Sequence, residues 1–185
     1  LSQVAFISTN FSGALGQGAN ITLSSTLDGL YPVTFVAGVG NISMVGKIGS
    51  TIPVGAMLVN NVNKFTASNS ILADSLTILQ ATNQVIFNGA QSYSQSSGLN
   101  ITTSGTSSNI TFNQPVNCTG IAQININNSG QLFLNSGADL SAQSGSITLG
   151  GSGGGNIYIF SNLSTITNAT SGNITLKNPV LLYAS

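Results

Sequence analysis

A short strand-like unit recurs along this chain at a nearly fixed interval, and that recurrence constrains the fold more than any single motif. Aligned on a leading polar residue, the units begin at Asn20, Asn41, Lys64, Gln84, Asn109, Gln131, Asn156 and Asn173, about 22 residues apart on average. One position after the leaders stand Ile21, Ile42, Phe65, Val85, Ile110, Leu132, Ile157 and Ile174; three positions after them stand Leu23, Met44, Ala67, Phe87, Phe112, Leu134, Ile159 and Leu176. All are apolar. Because side chains alternate across a strand, the two columns share one buried face. A self-similar period of this size is what a parallel β-solenoid requires, each coil supplying one rung and stacking on the next.

The expected architecture is therefore all-β: one solenoid domain over residues 1–185, of about eight coils. Further alternating stretches at 76–79, 99–101 and 146–149 supply its other faces. The stretch Asn109-Ile-Thr-Phe-Asn-Gln-Pro-Val116 returns as Asn173-Ile-Thr-Leu-Lys-Asn-Pro-Val180, an offset of 64 residues that is close to three coils. The competing arrangement is a pilin-like β-sandwich, which also shows short strands and frequent turns.

Composition removes several functions. The chain has three Lys, three Asp, and no Arg, Glu or His, so only 3% of it is charged, against about a quarter in an ordinary soluble protein. A nucleic-acid reader needs clustered cations to neutralise phosphates, so nucleic acid is excluded as a partner. Amides and hydroxyls carry the solubility instead, with 22 Asn, 27 Ser and 18 Thr. No apolar run approaches the roughly 18 residues of a transmembrane span. The chain starts at Leu1 without a secretory signal and reads as a processed protein or a piece of a longer one.

Chemistry is sparse. The single Cys118 has no histidine to activate it and reads as a buried structural thiol. Asp28 and Asp139 each fall eight positions after a leader but about five coils apart, and Asp74 has another phase. Carboxylates so far apart do not form a glycosidase pair. Lys47, Lys64 and Lys177 occupy three different phases. The run Gly150-Gly-Ser-Gly-Gly-Gly155 lacks the Gly-Lys-Ser/Thr ending of a phosphate loop and precedes a strand, so it reads as a turn. We expect no enzyme activity, no metal and no cofactor.

Two sets of outward residues remain. The frame turns Ile86, Phe133 and Tyr158 away from the core, a candidate contact strip unless a loop covers them. Ten Asn-X-Ser/Thr sequons, at Asn10, Asn20, Asn41, Asn100, Asn109, Asn117, Asn127, Asn162, Asn168 and Asn173, are candidate N-glycosylation sites. Four of them are leaders, and stacked Asn amides that bond from coil to coil explain those without sugar.

The runs at 48–59, 85–93 and 109–120 (Ile48-Gly-Ser-Thr-Ile-Pro-Val-Gly-Ala-Met-Leu-Val59, Val85-Ile-Phe-Asn-Gly-Ala-Gln-Ser-Tyr93 and Asn109-Ile-Thr-Phe-Asn-Gln-Pro-Val-Asn-Cys-Thr-Gly120) resemble the repeats of large secreted bacterial adhesins. These are the filamentous-haemagglutinin-type and autotransporter passenger proteins, and the resemblance covers roughly residues 20–180. It implies a right-handed parallel β-helix at the cell surface, a non-enzymatic stalk whose partners are a host or neighbouring-cell surface. The alternative expectation is a glycosylated, archaeal pilin-like subunit that joins copies of itself into a filament, with Val4 and Phe6 in a donated N-terminal strand.

Overall fold

The computed structural model describes residues 4–8, 17–151, 154–160, 166–168 and 172–183, the stretch 166–168 by its backbone. Its strands are β1 (Val4–Ile7), β2 (Ile21–Leu23), β3 (Val33–Val36), β4 (Ile42–Met44), β5 (Val54–Val59), β6 (Val62–Ala67) and β7 (Ile71–Phe87). They continue as β8 (Gln91–Tyr93), β9 (Leu99–Thr103), β10 (Asn109–Phe112), β11 (Val116–Cys118), β12 (Ile124–Asn127) and β13 (Leu132–Leu134). The last are β14 (Leu140–Ala142), β15 (Ile147–Leu149), β16 (Ile157–Phe160), β17 (Ile166–Asn168), β18 (Ile174–Leu176) and β19 (Val180–Tyr183).

Among the described residues every strand pairing is parallel. That overturns the β-sandwich alternative, whose two sheets are antiparallel. The chain winds instead as a β-solenoid of about 7 turns, one fewer than the sequence frame suggests. At about 4.8 Å per stacked strand the rod is roughly 34 Å long. No helix among the described residues is long and apolar enough to cross a membrane.

Each turn visits three faces in order. The first face stacks β1, β3, β5, the middle of β7, β9, β12, β15 and β18. The second stacks β2, β4, β6, the end of β7, β10, β13, β16 and β19. The third begins with single bridges at Leu27 and Ile48 and continues through the start of β7, β8, β11, β14 and β17. Seventeen residues of β7 run around all three faces in one continuous strand, with register irregularities where it turns.

The leader frame is the second face, with one correction. Ile21, Ile42, Phe65, Val85, Ile110, Leu132 and Ile157 stand in one register column, but its last member is Val180, not Ile174. Ile174 pairs with Ile147 on the first face. The physical reason is that Asn-Ile-Thr-Leu encodes an alternating strand start and carries no information about which face receives it.

Inside the rod, the second face contributes Phe65, Phe87 and Phe112, whose rings follow one another at 5.6 and 4.9 Å. The first face contributes Leu76, Ile78, Leu99, Ile101, Ile124 and Ile126, all buried. Each such side chain is worth about 1.5–3 kcal/mol of burial, so a chain with few charges is held by repetition of this term along the rod. At one corner Gly49, at φ 71°, lies so close to the Leu72 carbonyl of the next coil that a Cβ would collide with it.

Candidate functional site

A rod whose inner columns are filled has only its outer columns left for binding. On the second face the outward column reads Thr22, Ser43, Thr66, Ile86, Thr111, Phe133, Tyr158 and Leu181, residue paired with residue. Ile86 is half-buried and is separated from Phe133 by Thr111. Phe133 and Tyr158 stack at 5.0 Å.

The cluster extends further than the sequence frame reaches. Phe160 stacks on Tyr183 at 5.0 Å, and Tyr158 lies 5.9 Å from Tyr183. Four outward rings therefore form two adjoining ladders near the C-terminal end. Each ring stacks on at least one other, an arrangement worth about 0.5–1.5 kcal/mol per pair beyond burial. Phe160 was legible from alternation along β16. Tyr183 was hidden by the slip of the last rung, because only the corrected register sets it over Phe160.

Amides border the strip. Gln131 and Asn156 reach the Tyr158 hydroxyl at 3.4 and 3.5 Å. Asn135 donates to Asn113 at 2.5 Å and Asn113 to Asn88 at 2.7 Å, a ladder one step beyond the strand ends. The leaders expected to bond amide to amide do so only in part. Asn41 accepts from Asn63 rather than from the next leader, Lys64, whereas the Asn20 and Asn109 side-chain oxygens accept the backbone N–H of Asn41 and Gln131.

Of the sequon residues, Asn20, Asn117, Asn127 and Asn173 are exposed, and Asn41, Asn100 and Asn109 are half-buried. Asn10 and Asn162, and the side chain of Asn168, lie outside the described residues. The candidate donor residues Val4 and Phe6 pair within the chain: β1 is in register with β3, and Phe6 stacks on Phe35 at 5.1 Å.

The acidic residues stay apart. Leu27 and Leu140 belong to one third-face column five coils apart; Asp28 follows the first and Asp139 precedes the second, so the expected common phase is off by two residues. Asp28 is a cap between coils, its Oδ1 accepting from the Thr51 N–H at 2.8 Å and the Ile52 N–H at 3.2 Å. The Thr51 N–H is the main reason its pKa lies below the usual value.

Cys118 is buried, and burial pushes its thiol up to about 12, the condition of an inert structural cysteine. In the same column one coil earlier stands an unforeseen polar pair: buried Tyr93 donates to Gln91 Oε1 at 3.0 Å, and Gln91 Nε2 donates to the Gly89 carbonyl at 2.6 Å. Among the described residues no group of three or more His, Cys, Asp or Glu side chains is placed to hold a metal. Compared with known families, curated proteins and solved structures, the chain shows no match.

Proposed function

We propose that this chain is a rigid, non-enzymatic rod segment of a secreted surface adhesin, and that the aromatic strip of the second face is its contact surface. The observation that carries the reading is the outward ladder of Phe133, Tyr158, Phe160 and Tyr183. Rings that serve the core belong inside, where Phe65, Phe87 and Phe112 already stand. A half-buried aromatic group, with Tyr183 exposed at its end and amides along its border, matches the composition of interface centres, in which aromatics are enriched and charges depleted. The mechanism is mechanical. Stacked coils hold the strip at fixed spacing, so little conformational entropy is lost when a partner surface binds.

The test compares the wild-type rod with Phe133→Ser/Tyr158→Ser, both immobilised on beads and presented to candidate cell surfaces. Retention should fall at least about tenfold, while the rod loses only about 1–2 kcal/mol of stability. Unchanged retention by a folded double variant would sink the reading.

A further inference from the structure

The first face carries a polar notch on the far side of the Gly150 turn from the aromatic strip. After the inward Ile101, Ile126, Leu149 and Leu176, the next positions are Thr102, Asn127, Gly150 and Lys177, one above another in successive coils. Gly150 leaves a gap in this outward column. With Gly151 it floors an open cavity of about 550 Å³ lined by Thr102, Asn125, Asn127, Gly150, Gly151 and Lys177.

The gap is enforced by the backbone. Gly150 holds φ 101°, which L side chains rarely adopt, and a Cβ there would run into Asn178 Oδ1. A Cβ on Gly151 would meet only the far end of the Asn127 side chain, which can turn aside, so the backbone of Gly150 is what fixes the turn. The upper wall is fixed too: the Lys177 N–H donates to the Leu149 carbonyl at 2.8 Å, and Asn178 Nδ2 donates to the Gly154 carbonyl at 2.7 Å. The notch is therefore preformed, with its size in the range of small-ligand sites, about 300–1,000 Å³.

We propose that this notch binds an acidic saccharide, its carboxylate on Lys177 and its hydroxyls on Thr102, Asn125 and Asn127. The lining has one ammonium group and no carboxylate, so a monoanion balances it, whereas a phosphate dianion leaves a charge without a second cation. Amides and a hydroxyl offer donors and acceptors together, which is what vicinal sugar hydroxyls need. Asn125 uses one amide hydrogen on Asn100 Oδ1 at 2.9 Å, which holds the rest of its amide in place. The site is independent of the adhesive reading, since it shares no residue with the aromatic strip.

The experiment titrates the whole chain by calorimetry with galacturonate, galactose and trigalacturonate. Galacturonate should bind, galactose at least tenfold more weakly, and 0.5 M salt should weaken galacturonate binding severalfold. Lys177→Gln should lose at least tenfold while Lys177→Arg keeps most of the affinity. Both substitutions are at an exposed position, so unchanged melting is expected. Trigalacturonate binding more tightly than the monomer places the ligand in a polymer; equal affinity indicates a free sugar acid. Phe133→Ser/Tyr158→Ser should leave all of these affinities unchanged. Equal affinity for galactose and galacturonate, or undiminished binding by Lys177→Gln, overturns the proposal.

Discussion

The two copies of the eight-residue grammar occupy different corners of the rod. In Asn109–Val116 the chain passes from the second face to the third; in Asn173–Val180 it passes from the first face to the second. The backbone does the same work in both. Gln91 N–H donates to the Pro115 carbonyl and Ile157 N–H to the Pro179 carbonyl, while Asn113 N–H and Lys177 N–H donate to Phe87 and Leu149 of the coil below. Burial is what differs: Ile110 and Phe112 are 0% exposed, whereas Ile174 is 44% and Leu176 42% exposed. The grammar specifies strand, corner, strand, and the place in the stack decides how much energy each side chain contributes.

The largest expected effect follows directly. Phe112→Ala should cost about 3–5 kcal/mol in urea unfolding, because the ring is buried and stacked on Phe87. The equivalent Leu176→Ala should cost at most about 1 kcal/mol. Losses of equal size would mean that the two corners are equally buried in solution.

A second contrast uses thiol chemistry two residues past each Val. Cys118 is buried, while Leu182, at the same offset from Val180, is 68% exposed. In a Cys118→Ala background, Leu182→Cys should react with a thiol reagent at least about a hundredfold faster than native Cys118, whose access requires local opening. Similar rates would show that the Cys118 coil opens as readily as the last one.

How far the sequence could be read follows from the same comparison. Inner columns were legible because an apolar residue two positions from another on a strand has one physical reading, burial on a shared face. The face of a given strand was not, and Asn173 shows why: corners vary in length, so phase is lost wherever a coil departs from the mean. Phe133 and Tyr158 were visible as outward residues, but Tyr183 and the Lys177 notch depend on stacking between coils far apart in sequence. The buried Gln91–Tyr93 pair was invisible, since nothing local marks a glutamine as satisfied inside a core.

The smallest effect separates a neutral coil-to-coil cap from a charged one. Asn109 Oδ1 accepts the Gln131 N–H at 2.8 Å, and Asp28 Oδ1 accepts the Thr51 N–H at the same 2.8 Å. Only the second acceptor titrates. Its folded pKa lies below the usual 3.8, so its contribution is complete above the unfolded value and is lost as pH falls through the folded one. In an NMR titration the Thr51 and Ile52 amide protons should shift with a common midpoint below 3.8, while the Gln131 amide stays still. Asp28→Asn should abolish the shifts and remove the accompanying small loss of stability in acid. A midpoint at or above 3.8 would show that the carboxylate does not hold the Thr51 turn, and that the Asn109 and Asp28 caps are not the same device.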